Sequence, residues 1–248
     1  MIPYRDDNPT LRTPVVTVGI IALNVVVWIF VQQMGTDPAL AQSVCEFGLI
    51  PGEFLGTLSP GTTVRLGPET SCVLGYGPTW ITPFTSMFLH GGWLHLIGNM
   101  WFLWLFGNNV EDSMGRGRYA LFYALAGLGA AATQTLLSPS SPVPMVGASG
   151  AISGVMGAYV VLYPTVQVHM LVVLVVFITR IVVPAYLMLG YWFLIQLVQG
   201  AATVGSAGGV AFWAHVGGFL TGAALVFVFR DPVLVAEHRR LARVYSRA

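Results

Sequence analysis

Ser149, in Gly147-Ala148-Ser149-Gly150, and His215, in Ala214-His215-Val216-Gly217-Gly218, each stand at the start of an apolar stretch. A serine hydroxyl is a weak nucleophile until a base takes its proton, and imidazole is the side chain suited to that task near neutral pH. The pair points to attack on a carbonyl, with Ser149 as nucleophile and His215 as general base and then general acid. The oxyanion so formed needs donors. A serine at a helix N-terminus has unpaired backbone N–H groups and the positive end of the helix dipole beside it. His95 and Asn99, four residues apart and so on one helical face, offer side-chain donors as well. No Asp or Glu falls within the apolar stretches, so the expectation is a dyad and not a triad.

The elements that must position these groups lie in lipid. Of 248 residues, 55% are hydrophobic and only 8% charged, with mean hydropathy +0.74, where a soluble domain carries about a quarter charged side chains. Apolar stretches run at about 15 to 34, 90 to 110, 118 to 137, 149 to 163, 184 to 200 and 211 to 229. About 20 helical residues cross the ~30 Å hydrocarbon layer, so the fourth stretch, stopped by Pro164, is short. Its start at Ser149 must lie below the outer surface, with the Pro-rich segment 138 to 142 dipping inward. Irregular backbone at that depth requires a protein-lined or water-filled cavity, which a hydrolase needs in any case. The first stretch is too long for a cleaved signal sequence and no small-residue cleavage site follows it. The run 170 to 183, broken by Arg180, reads as an interfacial or re-entrant segment.

The expectation is therefore an all-α polytopic membrane protein with six transmembrane helices. Residues 1–14 form a cytoplasmic N-terminal segment, 15–229 the membrane domain, 35–82 its extracytoplasmic first loop, and 230–248 a basic cytoplasmic tail. That orientation puts ten Arg inside and only Arg65 outside, as positive-inside sorting requires. It also puts His95, Asn99, Ser149 and His215 in the first turns of three inward-running spans, at one depth. Gly150, Gly154 and Ala158 line one small face, and Ala214, Gly218 and Gly222 another, so the spans bearing Ser149 and His215 can approach closely. Cys45 and Cys72 share the first loop, where an oxidising compartment permits a disulfide. The small, Gly-rich residues 200 to 210 before His215 read either as a mobile gate or as a passive connector.

In combination these motifs resemble the rhomboid intramembrane serine proteases. The resemblance rests on His90 with His95-x-x-x-Asn99, on Gly147-x-Ser149-Gly150, and on Ala214-His215 followed by Gly218 and Gly222, across roughly residues 80 to 230. It implies a rhomboid-like bundle with Ser149 and His215 catalytic and an oxyanion hole of His95, Asn99 and the Ser149 amide. His90, Gly147, Gly150, Ser153, Gly218 and Gly222 have supporting places. It further implies cleavage of single-pass transmembrane proteins near the outer face of a bacterial plasma membrane, in contact with membrane lipids, with no metal, cofactor or nucleic acid. Two positions depart from the family pattern: Ile81 follows Trp80 where Arg is common, and Ser153 stands where an aromatic often stacks on the catalytic histidine. A nonenzymatic rhomboid-like chaperone or trafficking factor is the nearest alternative, although such members typically lack the Ser or His. A haem protein ligated by His95 and His215 would leave Ser149 and Asn99 without a role. A zinc protease would need His-Glu-x-x-His, which is absent.

Overall fold

The computed structural model describes residues 2–65, 70–75, 77, 79–174, 177–202 and 210–245. Seven principal helices carry the fold: α1 (Val15–Phe30), α2 (Trp93–Met114), α3 (Arg116–Leu137), α4 (Ser149–Leu162), α5 (Ala185–Ala202), α6 (Phe212–Phe229) and α7 (Pro232–Tyr245). Of these, α3, α5 and α6 are long and apolar enough to cross a membrane. Helices α1 and α4 are apolar but shorter, with 16 and 14 residues. The protein is an integral, multi-pass membrane protein built on a helical bundle.

Helix α4 sits at the centre, buried over most of its circumference. It can do so because small residues let its neighbours approach. A side chain at Gly154 would strike Ala126 of α3, one at Gly218 the carbonyl of Gly150, and one at Gly222 the carbonyl of Gly154. Backbone-to-backbone contact of this kind is the main source of helix association where lipid removes the hydrophobic drive. Pro164, two residues past the last turn, prevents α4 from continuing.

Helix α2 extends to Met114, past the expected end near 110, and so contains Glu111 and Asp112. These two lie beyond the apolar stretch, at the end of α2 opposite His95. Their partners explain the extension. The Glu111 carboxylate accepts hydrogen bonds from the amides of Val16 and Thr17 and from the Thr17 hydroxyl, at 2.8–3.0 Å. It thus satisfies the first turn of α1, as an anion at a helix N-terminus does. Asp112 accepts from the amides of Leu11 and Arg12. Gly115, at φ +76°, turns the chain directly from α2 into α3, a conformation that L side chains disfavour.

The bundle is not all helical. Strand β1 (Ile2–Asp6) pairs antiparallel with β4 (Gln167–Leu174), which pairs with β5 (Phe177–Pro184) in the sheet order β1-β4-β5. A second hairpin, β2 (Thr63–Arg65) and β3 (Ser71–Val73), lies in the first loop. The run 170 to 183, read as an interfacial or re-entrant segment, falls within the β4–β5 pair. On β4 burial alternates, with Val168, Met170 and Val172 buried and the first two packed into the core of the bundle. The N-terminal segment reaches it, and Trp101 Nε1 donates to the Pro3 carbonyl at 2.6 Å. The C-terminal segment is likewise ordered: α7 folds back against the bundle, with His238 buried, donating to the Pro9 carbonyl and packed on Tyr163. His238 is therefore not a solvated side chain. In the first loop, Cys45, in the helix Ala39–Phe47, and Cys72, on β3, are joined by a disulfide with their Cα atoms 5.5 Å apart.

Candidate active site

Ser149 is the first residue of α4 and His215 lies in the first turn of α6. The close packing of those helices brings His215 Nε2 to 2.8 Å from Ser149 Oγ. With the imidazole hydrogen on Nδ1, the Ser149 hydroxyl would donate to the Nε2 lone pair, the arrangement that proton transfer requires. Both side chains face a cavity of about 490 Å³, whose lining also includes His95, Asn99, Gly147, Gly150 and Trp192.

Gly147 has φ +125°, and a Cβ there would lie 2.7 Å from His95 Nε2 and 3.5 Å from Ser149 Oγ. Both the backbone conformation and the space demand glycine. A Cβ at 147 would thus crowd both the His95 ring and the Ser149 hydroxyl. At the far side of that ring, the Gly91 amide donates to His95 Nδ1 at 3.2 Å, so the neutral ring carries its hydrogen on Nε2 and presents a donor toward the cavity. Asn99 lines the cavity too, but its Nδ2 donates to the His95 carbonyl at 2.8 Å, leaving the second amide hydrogen for other use. The Gly147 amide is held by the Ser86 carbonyl at 2.9 Å.

The supporting residues fall around this core. The His90 ring stands edge-on to His95, with centroids 5.1 Å apart. Ser153 donates to the carbonyls of Ser149 and Gly150, both at 2.8 Å, and so tightens the first turn of α4 where the family often has an aromatic. Gly150, Gly218 and Gly222 form the α4–α6 contact. Cys45 and Cys72 belong to the first loop and do not line the cavity. The loop 200 to 210, read as gate or connector, falls mostly outside the described residues. Among the described residues no cluster of three or more His, Cys, Asp or Glu side chains is placed to hold a metal ion.

Several residues at the site carry no motif. Gln196 Oε1 lies 2.8 Å from His215 Nδ1, and Trp192 packs its ring against the same imidazole at 5.7 Å between centroids. Gln134 of α3 accepts from the Ala214 amide at 3.1 Å. Gln32, just beyond α1, clamps the His90 backbone with two hydrogen bonds of 2.8 Å. A polar amide in an apolar helix is costly unless satisfied, and that cost was the available signal for Gln196. Which way α5 turns the amide was not readable from the chain.

Comparison with known proteins covers the region that carries these motifs. The Rhomboid domain family model matches residues 77–232. Rhomboid protease GluP of Bacillus subtilis (strain 168) is 32% identical over 170 residues, covering 68% of this chain and 31% of that protein. Rhomboid-like protein 11, chloroplastic, of Arabidopsis thaliana is 40% identical over 77 residues, covering 31% of this chain and 27% of its own length. RHOMBOID-like protein 6, mitochondrial, from the same plant is 33% identical over 144 residues, covering 58% and 42%. The matches thus span less than half the length of each of these relatives.

Proposed function

The chain belongs to the rhomboid family, and from that premise we propose that it is an intramembrane serine endopeptidase that uses Ser149 as nucleophile and His215 as general base. The observation that carries the proposal is the 2.8 Å approach of Ser149 Oγ to His215 Nε2 at the wall of a cavity. Ser149 Oγ attacks the substrate carbonyl as His215 takes its proton, and His215 then protonates the leaving amine. Water repeats the sequence to release the acyl group. The oxyanion is met by His95 Nε2–H, by the first-turn amides of α4 and by the remaining Asn99 hydrogen.

The proposed topology has six spans, α1 to α6, with both termini cytoplasmic. Its even number of crossings is supported by the meeting of the chain ends, where Arg12 pairs with Glu237 and His238 bonds to Pro9. In this frame residues 15–229 form the membrane domain, 35–82 the extracytoplasmic loop, and the cavity opens near the outer face of a bacterial plasma membrane. Substrates are single-pass membrane proteins cut near that face.

Labelling with a fluorophosphonate probe tests the reading. Protein in detergent or liposomes should label covalently, and Ser149→Ala should not. Absence of labelling in folded wild-type protein, or equal labelling of both forms, would sink it.

A further inference from the structure

The base of a serine hydrolase must hold one tautomer, with the hydrogen on the nitrogen that faces away from the nucleophile. Two nitrogens compete for one hydrogen in neutral imidazole. At this site the decision falls to α5. Gln196 is buried, and its Oε1 sits 2.8 Å from His215 Nδ1, on the opposite side of the ring from Ser149. A carboxamide oxygen only accepts, so Nδ1 must carry the hydrogen and Nε2 must present its lone pair to the Ser149 hydroxyl.

The amide could oppose this if it were turned over, since its nitrogen would then donate to Nδ1 and force the hydrogen onto Nε2. Its own helix resists that turn. Gln196 Nε2 points back along α5 to the Trp192 carbonyl, 3.5 Å away. A flipped amide would set an acceptor against that carbonyl and leave its two N–H groups crowded on the imidazole side. One helical turn earlier, the Trp192 ring lies against His215 and limits its rotation. Ser153, one helical turn after Ser149, is spent on the α4 backbone.

We infer that Gln196 is the positioning residue for the catalytic base, fixing the His215 tautomer from α5 while Trp192 holds the plane of the ring. The inference rests on the serine-protease reading. Unlike an aspartate, the amide adds no charge, so it orients the imidazole without stabilising the imidazolium electrostatically. Among the described residues lining the cavity, His95 on α2 is the one other titratable ring beside His215, and no carboxylate or arginine joins them. A carboxylate put at 196 would consequently be the dominant new influence on the base.

The test uses the full-length protein in liposomes and a cleavable transmembrane substrate, with kcat and KM followed from about pH 5 to 9. Gln196→Leu should lower kcat about 10- to 100-fold with KM little changed, because the base spends most of its time in the wrong tautomer or orientation. Gln196→Glu should restore most of that loss and move the acid limb of kcat/KM to higher pH by about one unit, since a neighbouring anion favours the imidazolium. Wild-type kcat in Gln196→Leu, or an acid limb unmoved in Gln196→Glu, overturns the inference. If Gln196→Leu fails to fold, the acid limb of Gln196→Glu alone decides. A failure of the underlying reading looks different, because Ser149→Ala would then cleave as well as wild type.

Discussion

At the scale of single residues, the site assigns graded losses. In the proposed dyad, nucleophile and base act as one unit, so Ser149→Ala and His215→Ala should each reduce cleavage to background, and the double variant should be no worse. On the proposed mechanism, His95 contributes a donor whose worth is realised only as charge develops on the substrate oxygen. His95→Ala should therefore lower kcat by up to ~10² to 10³ and leave KM nearly unchanged. Steady-state cleavage of a reconstituted substrate separates the two patterns, and a rise in KM alone would reassign His95 to ground-state binding. Gly147 has a sharper requirement, since its φ of +125° and the His95 ring 2.7 Å from a prospective Cβ both exclude a side chain. Serine, histidine and their flanking glycines were legible in the sequence because each is a departure from an apolar background. Gln196 was not, because one amide among several gives no indication of which neighbour it faces.

At the scale of elements, the site depends on how closely α4 and α6 approach. Gly218 and Gly222 receive the carbonyls of Gly150 and Gly154, so Gly222→Leu should separate the helices, lower the melting temperature in detergent and abolish activity together. A variant melting like wild type would show that this contact is dispensable. The small stripes that set this contact could be read from spacing alone. The sheet could not, since β1 and β4 lie more than 160 residues apart and pair only once the helices have brought them together. Its anchorage has a pH dependence of its own. Asp6 accepts a hydrogen bond from Tyr159, while burial pushes its carboxyl up from 3.8 to about 6 against the opposing effect of that bond. The folded protein binds this proton more tightly than the unfolded chain does. That contribution is complete below about pH 4 and disappears as pH rises through about 6. Melting temperature should fall across this window, and Asp6→Asn, which cannot ionise, should flatten the fall. An identical pH profile in Asp6→Asn would remove Asp6 as its source.

At the scale of the whole molecule, the two ends of the bundle are braced differently. At one end α7, the N-terminal segment and the α2 carboxylates interlock through Arg12, Glu237, His238 and Asp112. At the other, the first loop is tied by Cys45–Cys72, closing 27 residues of chain, which in the entropy model stabilises the fold by roughly 3 to 4 kcal/mol. The cysteine pair was visible as two residues in one loop, whereas the interlock at the other end was hidden because its members come from three separate segments. Between these braced ends lies the cavity that the proposed reaction would use. A regular helix keeps each carbonyl in its own hydrogen bonds, so a transmembrane substrate must unwind locally before Ser149 can reach a peptide carbonyl. Gly, Ser or Pro near the outer end of the substrate helix lowers the cost of that unwinding, at roughly 1 kcal/mol for Gly and about 3 kcal/mol for Pro relative to Ala. Replacing such residues with Leu should slow cleavage several-fold or more while leaving the substrate inserted. Hydrolysis of a soluble, already extended peptide with the same scissile sequence should not change. Equal cleavage of both membrane substrates would show that unwinding is not the step that limits the enzyme.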